Sequence, residues 1–198
     1  MFIQTEATPN PNSLKFLPGR AVSPGQAMEF ASPDEAVASP LAEALFDING
    51  IERVYFGPDF IAVSRKADAT RDWDELKAPV LAAIMDHFVA GLPLVAEGAR
   101  SGGAGSGEAA HNNEAYEGDA AQVVAEIKDL LDTRIRPAVA QDGGDILFDR
   151  FDPETGAVWL HLRGACSGCP SSSATLKAGV ENMLKHYVPE VTRVEQAL

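Results

Sequence analysis

Cysteine is almost missing from this sequence: two residues, Cys166 and Cys169, occur in a chain of 198. That excludes a small disulfide-stapled scaffold, which needs several bridges. No apolar run approaches the ~20 residues that cross a bilayer, so a membrane span is not expected. The opening, MFIQTEATPNPNSLKF, lacks the basic start and long apolar centre of a secretory signal. It is neither Arg-rich nor acid-poor, so it does not read as a transit peptide. Basic residues are scarce, with 16 Lys and Arg against 29 Asp and Glu, and the net charge is −13. Phosphate backbones are bound by clustered Lys and Arg, so nucleic acid is not an expected partner. The acidity reads as solubility. Histidine is rare too. His87, His111, His161 and His186 are scattered, which excludes a Ser/His/Asp or Cys/His hydrolase pattern. Gly102-Gly103-Ala104-Gly105 neither follows a strand nor opens a helix, so it is not a phosphate loop.

What is there is an ordinary globular composition: 45% hydrophobic residues and a mean hydropathy of −0.07. Two cysteines without a secretory signal point to a reducing compartment. We expect a bacterial cytosol, or the mitochondrial matrix if a targeting segment has been removed. One segment stands apart. From Gly91 to about Gly118, Gly, Ser, Ala, Asn and Glu dominate, with SGGAGSG at the centre. That composition predicts a flexible linker over 91–118, separating an N-terminal domain, 1–90, from a C-terminal domain, 119–198. No repeat relates them.

In the first half, a hairpin with a long loop is predicted from Phe2–Glu6 and Ser13–Leu17, joined through the turn-rich ThrProAsnProAsn stretch at 8–12. Ser39-Pro40 starts a short helix ending near Asn49-Gly50. IERVYF and FIAVSR form a second hairpin around Gly57-Pro58-Asp59. Trp73, Leu76, Val80, Leu81, Ile84 and Phe88 recur at helical spacing, with Pro79 marking a bend or a start. In the second half, Asp119 is read as a helix cap with Gln122 three residues on. Val123, Ile127, Leu130 and Leu131 make the helix's apolar stripe, and Pro137 followed by Asp142-Gly143-Gly144-Asp145 ends it. Strands ILFDRF and AVWLHL follow. A helix from about Ser171 carries Leu176, Val180, Met183, Leu184 and Tyr187 on one face, and VTRVE is a last strand. The order α-β-β-α-β implies an α+β domain with a mixed sheet. The whole chain reads as two small α+β domains on a linker.

The chemistry falls in the loop between the second strand and second helix of the C-terminal half. The two-residue spacing lets the sulfurs of Cys166 and Cys169 point at one metal centre. Gly164 and Gly168 allow tight folding around something bulky. Pro170 suits the first turn of the helix that follows. The amide groups and dipole at a helix start favour thiolate, so both cysteine pKa values are expected to fall. Three readings compete. A CxxC pair before a helix serves thiol–disulfide oxidoreductases. A structural zinc wants about four ligands, for which His161 and His186 are the available histidines. An iron–sulfur cluster takes about four thiolates, so one chain supplies half and a second copy the rest. Asp142-Gly143-Gly144-Asp145 is read as a helix terminator with a left-handed glycine rather than a paired-carboxylate site. Trp73 and Phe88 are read as core, and Asn10-Pro11-Asn12 as a plain turn.

Further residues bear on this choice. RPAVAQDGG from Arg136, the strand pair, and then GACSGCPSSSATLKAGVENMLKHYVPEV resemble the C-terminal domain of the NifU-like (Nfu) iron–sulfur scaffold family. FIQTEATPNPNSLKF and FDINGIERVYF resemble that family's N-terminal domain. The resemblance implies a scaffold or carrier, not an enzyme in the turnover sense. It implies a [4Fe-4S] cluster bridged between two protomers by Cys166 and Cys169 of each, and its transfer to apo-proteins. Spacing alone leaves [2Fe-2S] open. The expected partners are a second copy of the chain, recipient apo-proteins and upstream cluster assembly proteins. A role for residues 1–90 in choosing recipients is the matching expectation for the first domain.

Overall fold

A computed structural model describes residues 2–24, 27–95, 116–167 and 170–197. The chain divides into two compact units, Met1–Gly107 and Glu108–Leu198. Most of the predicted linker, 96–115, lies outside the described residues.

Unit one is built on a five-stranded antiparallel sheet. Its strands are β1 (Gln4–Ala7), β2 (Ser13–Leu17), β3 (Met28–Phe30), β4 (Ile51–Phe56) and β5 (Ile61–Arg65), in the order β1-β2-β5-β4-β3. Among the described residues, three helices join it: α1 (Pro33–Ala36), α2 (Pro40–Phe46) and α3 (Trp73–Ala90). Both predicted hairpins are present. The first starts later than expected, at Gln4, which pairs with Leu17 at the end of β2, and Phe2 is left 80% exposed. The turn between β1 and β2 is held by Asn10, whose Oδ1 accepts from Asn12 N at 2.9 Å. Trp73 Nε1 donates to the Pro11 carbonyl at 3.1 Å, tying α3 to that turn. Ser39 caps α2 as its position before Pro40 predicts. Asp72 caps α3, and Gly91 ends it in the left-handed conformation at φ 65°. Pro79 neither starts nor stops α3 but sits inside it. Leu76, Val80 and Ile84 pack against Phe16, Phe30, Phe56, Leu41 and Leu45, all fully buried.

Unit two begins with Tyr116. Helix α4 (Asp119–Leu130) continues through a π turn, Leu131–Ile135, into α5 (Arg136–Gln141). Asp119 is the first helical residue rather than the cap; Gly118 takes that place at φ 61°. Pro137 does not end the helix, since the π turn resets the hydrogen-bond register just before it. Gly143, at φ 80°, does. Then come β6 (Gly144–Asp152), β7 (Ala157–Gly164), α6 (Pro170–Tyr187) and β8 (Arg193–Gln196). β6 pairs antiparallel with β7, and β7 parallel with β8. The mixed sheet is as read from the α-β-β-α-β order. Val123, Ile127, Leu131 and Val139 pack on Ile146, Phe148, Val158 and Leu160, with Val180, Leu184 and Val188 from α6. Met183 and Tyr187 are not core: they are 37% and 42% exposed. Val188 takes the last core position, while the Tyr187 hydroxyl accepts from Arg134 at 2.8 Å. No helix among the described residues is long and apolar enough to cross a membrane.

Candidate metal centre

Cys166 follows β7, where Gly164 at φ 66° turns the chain out of the sheet. Hydrogen bonds to backbone carbonyls hold this turn. Ala165 N donates to Gly143 O at 3.1 Å, and Ser167 N to Gly164 O at 3.1 Å. Ser167 Oγ donates to Leu162 O at 2.7 Å. The first of these ties the cysteine loop to the helix terminator, so the two glycine-rich segments form one structure. Cys166 is a free thiol, 8% exposed, and part of the apolar core of unit two. Cys169 and Gly168 lie outside the described residues.

The terminator supplies more than a turn. Asp145 is buried and accepts from Arg136 Nε at 2.8 Å and Nη2 at 3.0 Å. It also accepts from Ile146 N at 2.8 Å. Arg136 Nη1 reaches Asp132 at 2.9 Å. This fork holds the guanidinium charged well beyond any working pH. Asp142 and Asp145 act on Cys166. Burial, then these two carboxylates, push its thiol up to about 12. The expectation of a lowered pKa is therefore overturned for Cys166: loss of hydration and nearby negative charge dominate there. Such a thiol is a poor nucleophile at neutral pH, which weighs against the oxidoreductase reading.

The zinc reading finds no support among the described residues. No three His, Cys, Asp or Glu side chains gather there as a metal cage. His161 Nε2 faces Asp149 at 3.3 Å, and His186 stands edge-on to Tyr187 at 4.8 Å. His87 is buried on α3 in the other unit, and His111 lies outside the described residues. The donor chemistry still fits a soft metal group: a thiol on a glycine-bounded loop, with the opening helix next to it. Reading the terminator as only a turn missed Gly144, which lies against the cysteine, and Asp145, which acts on it. The signal available was the second glycine opening a strand, which often marks close backbone approach.

Residues 3–91 match the family model "Scaffold protein Nfu/NifU N terminal", and residues 127–195 match "NifU-like domain". The chain is 52% identical over 198 residues to the human "NFU1 iron-sulfur cluster scaffold homolog, mitochondrial", covering all of this chain and 72% of that protein. It is 45% identical over 200 residues to "NifU-like protein C1709.19c" of Schizosaccharomyces pombe, covering 100% of this chain and 73% of that one. A solution structure of a NifU-like protein from Saccharomyces cerevisiae is 23% identical with a TM-score of 0.44, covering 49% of this chain and 86% of that one. The chain belongs to the NifU-like iron–sulfur cluster scaffold family.

Proposed function

We propose that this chain carries an iron–sulfur cluster as cargo, held by Cys166 and Cys169 and completed by the same pair from a second copy. The observation that carries the reading is the family membership across both halves, joined to a sulfur supply of two per chain. About four thiolates hold such a cluster, so a single chain is half a site. A [4Fe-4S] cargo is the form proposed, with [2Fe-2S] as the alternative. Nothing in this function asks for turnover chemistry at the thiol. The raised pKa of Cys166 fits the empty state of a carrier: the proton is kept until metal displaces it.

Residues 1–90 would choose the recipient apo-proteins, 119–198 would hold the cargo, and 91–118 would join them. Upstream assembly proteins would load it. The relatives named above include a mitochondrial one, which favours the mitochondrial alternative over a bacterial cytosol.

Anaerobic reconstitution with iron and sulfide tests the site. The apo-chain should be mainly monomeric and the loaded chain dimeric by light scattering. Cys166→Ser and Cys169→Ser should each lose the cluster on gel filtration while remaining folded. A monomer that retains a full cluster would refute the shared site. Transfer rates to several apo-proteins, with and without residues 1–90, test the division of labour; equal rates throughout would refute it.

A further inference from the structure

We propose that the outward face of α3 is a docking surface for a basic amphipathic helix of a recipient protein. This rests on the reading that residues 1–90 select recipients. The face that α3 buries carries Leu76, Val80, Ile84 and His87. At ~100° per residue, the opposite face carries Ala78, Ala82, Met85 and Val89 in one stripe, and Leu92 follows just past the helix end. All five are exposed: Val89 by 75%, Leu92 by 50% and Met85 by 41%. An exposed apolar stripe of about 20 Å is more than scattered surface hydrophobics. The alanines at one end leave room for a close backbone approach.

The charges around the stripe state what fits it. Asp74 flanks one side, and Glu75 and Asp86 the other, all exposed. Glu75 faces Arg71 at 3.7 Å, with both half-exposed. Along α3 and its cap there are four acidic side chains, Asp72, Asp74, Glu75 and Asp86, against Lys77, Arg71, which pairs with Glu75, and Arg20, which lies over the Phe88 ring at 4.9 Å. A second copy of this face, or an anionic bilayer, would meet like charge. An amphipathic helix with apolar anchors three and four residues apart and Lys or Arg beside them would meet both the stripe and its rim.

The test uses the full chain and a labelled 18-residue peptide, as long as α3 itself, with Leu at helical spacing and Lys on its flanks. Its partner probe has Glu in place of Lys. The Lys peptide should bind, weaken as salt is raised, and shift amide resonances confined to 73–92; the Glu peptide should not bind. The double variant Met85→Asp, Val89→Asp changes only exposed side chains and should melt like the parent. It should lose Lys-peptide affinity by at least about tenfold, equivalent to ~1.4 kcal/mol. It should also slow transfer to the recipients that depend on residues 1–90. Equal peptide binding by the variant would overturn the proposal, as would resonance shifts elsewhere. So would a peptide-free dimer of the parent chain that the variant breaks, because a second copy would then own the face. If deleting residues 1–90 slows transfer but the double variant does not, recipient selection stands and this surface is wrong. If the deletion changes nothing, the selection role fails, and peptide binding alone decides the surface.

Discussion

A Cβ placed on Gly144 would lie 2.5 Å from Cys166 Sγ and 2.8 Å from the Arg163 carbonyl oxygen. Gly144 does not occupy the left-handed region, so what requires glycine there is space and not backbone conformation. The first residue of β6 is therefore the wall against which the sulfur of Cys166 rests.

Gly144→Ala should force Cys166 or the β7 backbone to shift. Overpacking of this kind costs about 1–3 kcal/mol. We expect denaturant unfolding of unit two to move to lower concentration while unit one is unchanged. Iron and sulfide retained per chain after reconstitution should fall, because the displaced side chain is a proposed ligand. Wild-type stability and retention in this variant would show that the wall yields freely.

The raised pKa of Cys166 gives a signed pH dependence. Its ordinary value is 9.0 and its folded value about 12. Between these the unfolded chain has lost the proton and the folded chain keeps it. Stability is therefore complete below pH 9 and lost as pH rises toward 12, by up to ~1.4 kcal/mol per pH unit. Replacing Cys166 with Val should flatten this alkaline loss relative to the parent. In a Cys169→Ser background, alkylation of the one remaining thiol should be slow at pH 8. Asp142→Asn removes an exposed carboxylate that raises the pKa, so it should speed alkylation with little effect on the melt.

Much of this architecture was legible in the sequence, for identifiable reasons. The hairpin around Gly57-Pro58-Asp59, the cap at Ser39-Pro40 and the stripe of Val123, Ile127, Leu130 and Leu131 are local signals, and the structure follows them. β3 and α1 were missed because three and four residues are too short to show a period, although Ser32 and Glu35 do carry the spacing of a capping box. The π turn before Pro137 leaves no residue signature. Neighbours distant in sequence decide the rest. Helix-start chemistry predicts a lowered cysteine pKa, and only the fold brings Asp142, Asp145 and burial to bear on Cys166. The cysteine pair was visible in the sequence as a CxxC spacing; the approach of Gly144 to Cys166 was not.

Tyr116 closes the free edge of β6. Its hydroxyl donates to Phe151 O at 2.9 Å and accepts from Phe151 N at 2.8 Å. Phe151 otherwise points both backbone groups away from β7, an open strand edge. Tyr116→Phe should cost unit two about 1–2 kcal/mol. Amide exchange at Phe151 should rise more than at its neighbours. No change there would mean water replaces the hydroxyl without loss. The same contact places Tyr116, inside the predicted linker, on the folded body of unit two.

The pair Arg136–Asp145 should respond unequally to its two halves. The Asp145 side chain is 8% exposed and that of Arg136 38%. Removing the cation leaves a buried carboxylate with the Ile146 amide as its remaining donor among the described residues. Removing the anion leaves a guanidinium that still reaches Asp132 and water. Arg136→Gln should therefore cost roughly 3–5 kcal/mol. Asp145→Asn keeps an acceptor for Ile146 N and should cost roughly 1–2 kcal/mol. The thiol separates this account from generic damage. Asp145 raises the Cys166 pKa, so Asp145→Asn should lower it and speed alkylation. Arg136→Gln unmasks the carboxylate and should raise it further and slow alkylation. Two destabilised variants with opposite effects on one thiol would place that thiol in the field of this pair. Faster alkylation in both would mean only that the unit had loosened, and the electrostatic account of Cys166 would be wrong.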